Sequence, residues 1–101
     1  MRQFKTTVPD GTLASAPESV VAIDGAPATI MVTVSAGSCP VFYTSDPLED
    51  VLADPANANW EPWDFGIVDN TAIGIGSLHT PISCIQCVPS GADANVSVTI
   101  A

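Results

Sequence analysis

The chain has 101 residues, enough for one domain, with 47% hydrophobic and 13% charged residues, so it is neither a disordered acidic tail nor a two-domain protein. Eleven Asp and Glu against two Lys and Arg give a net charge of −9, and both bases, Arg2 and Lys5, precede Thr6. Without Lys or Arg after its fifth residue, the chain cannot neutralise a row of phosphates or an anionic lipid surface, which excludes nucleic-acid and membrane-surface binding as its main task.

Residues 1–10 read as an N-terminal arm ahead of a β-domain over residues 11–101. Arg2, Phe4 and Lys5 make this arm basic and amphipathic, a candidate partner-binding element. It would act as a strand added to a neighbour's sheet edge or as a clip on a neighbour's acidic surface. An ordinary frayed terminus is the plainer account. No apolar signal region follows Met1, and no apolar run approaches the roughly 20 residues that span a bilayer, so synthesis in a cytoplasm is expected.

Short Val-, Ile- and Thr-rich runs then alternate with Gly and Pro at intervals typical of all-β domains. Ser19 to Ile23 is a short strand ending at the Asp24-Gly25 turn. Ala28 to Ser35 is the clearest strand: Ala28, Ile30, Val32 and Val34 share one face, Thr29, Thr33 and Ser35 the other. Met31 is the one apolar residue on that other face. Val41 to Thr44 follows Pro40 as a further strand.

One short helix is expected next. Asp46 is placed to cap it, Pro47 suits its first position, and Glu49 completes a capping box. Leu48, Val51 and Leu52 form its apolar face, and Pro55 stops it. So short a helix depends on the sheet it covers. Trp60 and Trp63 follow, better read as plugs at the sandwich edge than as a stacking platform for a ligand.

Ile67-Val68 and Ala72 to Leu78 read as strands around Asp69-Asn70, with Gly74 and Gly76 marking a bulge or a close backbone approach. Ile82 to Val88 ends at the turn Pro89-Ser90-Gly91. Asn95 to Ile100 closes the chain, with Val96, Val98 and Ile100 alternating with Asn95, Ser97 and Thr99. The sum is an all-β, antiparallel β-sandwich, immunoglobulin-like or jelly-roll-like, of about seven strands with one short helix.

Chemistry-bearing residues are few. His79 is the single histidine, so any triad or relay must use it, and beside Thr80-Pro81 it reads as an ordinary loop residue. No Gly-x-Ser-x-Gly elbow occurs, Lys5 is the only lysine, and Asn95-Val96-Ser97 has no secretory context as a glycosylation site. Enzymatic activity and a bound cofactor are not expected. The Cys84-x-x-Cys87 pair, with Cys39 and His79, is the one conceivable zinc set. Within a strand, however, positions i and i+3 point to opposite faces, and Cys39 lacks a close partner in sequence. Three small core thiols are the plainer account. Asp46, Glu49, Asp50 and Asp54 suggest calcium by their oxygen chemistry, but without EF-hand spacing they read as a solvated helix face.

The order of signals, from the Thr29–Ser35 strand through Val41-Phe42-Tyr43-Thr44-Ser45-Asp46-Pro47, Trp60, Gly66, Thr80-Pro81-Ile82 and Ser90-Gly91 to the terminal Val-x-Val-x-Ile, resembles small β-sandwich virion proteins of tailed bacteriophages. These decorate or cement a capsid, or fill a fibre or adaptor position. The resemblance runs from about Val20 to Ala101. It departs at Gln86, where that group often carries an Arg. It implies a non-enzymatic structural protein of the virion, made in the host bacterial cytoplasm. Its partners would be the major capsid protein or other virion proteins, in many copies or as a homo-oligomer. A tail, neck or fibre position is the first alternative, and a small metal- or ligand-binding β module the second.

Overall fold

The two runs with the strictest alternation of apolar and polar residues become the middle of a sheet, where one face is sealed and the other is not. A computed structural model describes residues 2–23, 27–62, 68–69, 74–78 and 83–100. In it β3 (Ala28–Val34) and β10 (Ala94–Ile100) lie side by side, antiparallel. They are flanked by β1 (Arg2–Val8) and β8 (Gly74–Leu78), giving a first sheet of order β1-β10-β3-β8. A second four-stranded sheet is built from β2 (Val20–Ala22), β5 (Val41–Thr44), β6 (Glu61–Pro62) and β9 (Cys84–Cys87), in the order β2-β9-β5-β6. A two-stranded ladder pairs β4 (Ser38–Cys39) with β7 (Val68–Asp69). The protein is therefore an all-β, antiparallel, sandwich-like fold with one short helix, α1 (Leu48–Ala53).

The core lies between the two sheets. Ile30, Val32, Val96 and Val98 of the first sheet and Ile85, Cys87, Val41 and Val21 of the second belong to one buried cluster, with Phe4 and Tyr43 packed at its margin. Apolar burial of this kind is the dominant favourable contribution to folding, at roughly 25 cal/mol per Å² removed from water.

Three expectations change. Arg2–Val8 does not stand off as an arm: it is an edge strand of the chain's own sheet, in register with β10 over all seven residues. Asp46 does not cap α1: Pro47 occupies the cap position, no side-chain cap bond forms, and the Asp46 carboxylate accepts instead from the backbone and side-chain amides of Asn59. The pairing of β3 with β8 runs through Gly74 and Gly76 without a slipped residue, so these glycines mark no bulge. They sit buried on the inward face, opposite Val32 and Ile30.

The edges of the second sheet, β2 with three residues and β6 with two including Pro62, limit pairing with other chains, as edge strands generally require. At one end of the sandwich, three loops are pinned together. Ser38 and Ser90 exchange backbone hydrogen bonds of 3.0 and 2.8 Å, and the Asp10 carboxylate accepts from the Gly91 amide at 2.9 Å. Gly37 and Gly91 meet back to back here, both with positive φ, and a Cβ on Gly37 would fall 1.8 Å from the Ser90 carbonyl oxygen. Only glycine fits that crossing.

Candidate interaction face

The register of each sheet decides which side chains face outward, and the two sheets differ in what covers them. In the second sheet, Thr44 and Cys84 form one outward cross-strand pair and Phe42 and Gln86 the next. Thr44, Cys84 and Gln86 are nevertheless buried. The segment leading from Val8 to Ser19 lies over Gln86, whose side-chain amide donates to the Ala14 carbonyl at 2.7 Å and to the Ser19 hydroxyl at 3.2 Å. The segment from Asp46 to Trp60, which carries α1, is tied to the Thr44–Cys84 end. Ser83 donates to the Asp46 carbonyl through its hydroxyl and to the Thr44 carbonyl through its amide, and the Trp60 indole N–H closes the segment on Pro55 at 2.7 Å. The chain thus covers the outward side of the second sheet at Thr44, Cys84 and Gln86, while Ala22 and β6 stay exposed.

The outward side of the first sheet is exposed at Gln3, Lys5, Thr7, Thr29, Met31, Ile75 and Asn95. Its outward positions form three cross-strand rows: Gln3–Thr99–Thr29, Lys5–Ser97–Met31–Ile75 and Thr7–Asn95–Thr33. Met31 is 38% exposed and Ile75 53% exposed, neighbours across the β3–β8 pair. Around them stand hydroxyls and amides, partly bonded to one another: Gln3 to Thr99 at 3.5 Å and Thr7 to Asn95 at 3.3 Å. Shallow depressions flank Lys5 along the β1–β10 pair. No residue of these rows is an Asp or Glu. Among the described side chains, the carboxylates stand on turns, on α1, on the short turns beside it, or on β6 at the edge of the other sheet.

The residues singled out in the sequence are distributed as follows. Arg2, Phe4 and Lys5 do not act together. Register places Arg2 and Phe4 on the inward side of β1, with Phe4 half-buried against the core and the Arg2 guanidinium 5.7 Å from its ring centroid. Lys5 alone points outward and is exposed.

The thiols also divide. Cys87 and Cys39 lie in the inter-sheet core, whereas Cys84 is on the outward face of β9 with Gln86, so Cys84 and Cys87 cannot share one ion. The Cys87 thiol donates to Cys39; that bond first, then burial, raises Cys87 well above the ordinary thiol range, while the same bond lowers Cys39 against its own burial. Burial raises Cys84, against a hydrogen bond with Ser83. His79 and Trp63 lie outside the described residues. Two of the four acids of the proposed calcium set are held by neighbouring amides, Asp46 by Asn59 and Asp54 by Asn57. Among the described residues no three His, Cys, Asp or Glu side chains come together, and no helix is long and apolar enough to cross a membrane.

Sequence reasoning finds the outward sides of β3 and β10, including Met31, from alternation alone. It misses that β1 and β8 widen them into one face, because Lys5 reads as part of an arm and Ile75 as part of a glycine-rich strand. Comparison with protein-family models, curated proteins and solved structures gives no match.

Proposed function

We propose that this chain is a structural protein of a tailed-bacteriophage virion, a decoration or cement subunit on the outer surface of the major capsid shell. The observation that carries the reading is the division of its surface. One exposed sheet face whose described side chains include no carboxylate stands on a molecule of net charge −9. Such a face meets a neighbouring subunit without burying an unpaired carboxylate, which is strongly unfavourable. The acidic remainder keeps subunits soluble and apart before assembly. The order of strand and turn signals shared with small virion proteins supports the same reading, and many weak contacts on one particle reinforce each other.

Mass spectrometry and cryo-electron microscopy of purified virions test it. Many copies per particle on the shell are expected. A few copies at the tail, neck or fibre would replace decoration by the first alternative, and absence from the particle would end the virion reading. Stoichiometric zinc or calcium in the purified protein would favour the metal-binding module instead.

A further inference from the structure

Cys39 and Cys87 are nucleophilic side chains that the proposed function leaves unused, and the strand ladder explains why they meet. Ser38 is bridged to Ser90 and Val41 is paired with Cys87, so a single register runs from β4 into β5. The Val88 N–H, donating to the Pro40 carbonyl at 3.2 Å, keeps that register between them. Cys39 therefore stands opposite Pro89, two residues beyond Cys87, and both thiols lie on the inward side of one ladder. Both are 0% exposed and belong to the same core cluster. A hydrogen bond joins them. We propose that Cys39 and Cys87 are a peroxide-sensitive dithiol, which closes to an intramolecular disulfide and ties β4 to β9.

The hydrogen bond assigns the roles. Cys87 is the donor, so Cys39 is the sulfur that more readily carries negative charge, and the thiolate is the nucleophile. The Cys39 sulfur, having lost its proton, attacks one oxygen of hydrogen peroxide. The O–O bond breaks, Cys39 becomes a sulfenic acid, and hydroxide leaves with the lost proton as water. The Cys87 sulfur then attacks the Cys39 sulfur; the S–O bond breaks, and the departing hydroxide takes the Cys87 proton as a second water. Burial selects the oxidant, since hydrogen peroxide is close to water in size. Diagonal neighbours on a ladder stand about 7–8 Å apart at Cα and a disulfide needs about 4.4–6.8 Å, so closure asks for an approach of about 1 Å. The rung between the thiols permits it. Pro40 has no N–H, so this rung holds the Val88 bond alone, whereas Ser38 and Ser90 exchange two. Cys84 faces the other side of β9 beside the Ser83 hydroxyl, with no thiol to close on. On a particle released from a cell, as in the reading above, the pair would pass from a reducing to an oxidising medium. The chemistry does not depend on that reading, and purified protein tests it alone.

Native wild-type protein is exposed to about 1 mM hydrogen peroxide near neutral pH, then unfolded in guanidinium chloride with N-ethylmaleimide to count free thiols. That count is blind to sulfoxide formed at the exposed Met31. Before treatment three thiols react; afterwards one is expected, at Cys84. A peptic digest is expected to yield a peptide joining Cys39 to Cys87 that dithiothreitol separates, a readout that needs no variant to fold. The linked protein is expected to melt on the order of 10 °C higher, because the bond closes a loop of roughly 50 residues. Cys84→Ala still forms the link, whereas Cys39→Ala and Cys87→Ala do not. Three free thiols after treatment, a link that includes Cys84, or a linked protein that melts below the reduced one would overturn the inference. Each of these results leaves the virion reading where purified particles put it.

Discussion

Cys84 shows how register, more than residue type, sets a side chain's chemistry. It sits three positions from Cys87, yet it faces away from the core and is sealed by a different part of the chain. Both thiols are raised, Cys84 by burial first and Cys87 by its bond to Cys39 first, so both resist ionisation in the folded state. A raised thiol contributes stability that is complete below the unfolded value and is lost as pH climbs toward the folded value. The melting temperature is therefore expected to fall above about pH 9, with a shallower slope in Cys84→Ala; a slope unchanged in that variant would contradict the assignment. All three cysteines are buried and unpaired, so a thiol reagent such as Ellman's is expected to react slowly with native protein and with three thiols after unfolding. Gly37 has a single permitted identity. Gly37→Ala combines a left-handed backbone with an overlap on the Ser90 carbonyl, and is expected to cost about 2 kcal/mol or more and to lower the melting temperature by about 10 °C, measured by calorimetry.

Elements of this fold are defined by what covers them. The segment over Gln86 has no regular structure of its own apart from a turn at Pro17–Ser19, and two hydrogen bonds from one buried amide hold it to the second sheet. Gln86→Leu keeps the bulk and removes both bonds, costing about 1–3 kcal/mol. Chymotrypsin cleavage after the exposed Leu13 is expected to speed up roughly tenfold, because cleavage follows the population of the opened segment. Removing residues 1–5 is a different perturbation: it strips most of β1 and bares β10 as a new edge, so loss of solubility is expected where Lys5→Glu leaves the protein folded.

Strand alternation made β3, β5 and β10 legible within a residue or so, because period-two burial is written directly into the sequence. It could not reveal β4 or β6, two-residue strands whose pairing depends on distant partners. The capping box misled because Asp46, Pro47 and Glu49 fit the pattern locally while Asn59, thirteen residues on, claimed the carboxylate. Half of the candidate face was visible as the polar side of β3 and β10. The other half required knowing which strands flank them.

The whole molecule measures 30 × 29 × 21 Å, about one Debye length in 10 mM salt, so under those conditions every carboxylate is felt by every other. Its melting temperature is expected to rise by on the order of 5 °C between 10 and 500 mM NaCl as self-repulsion is screened. A flat response would mean that the charges are already dispersed enough not to oppose folding. The solitary outward lysine has a practical corollary. A chain of 101 residues with one ε-amine, in the middle row of its exposed face, carries its own address for a dye. An amine-reactive fluorophore attached at Lys5, with the α-amine blocked beforehand, would sit beside whatever settles on that sheet. Its brightness would report occupancy without any engineered cysteine or fused tag.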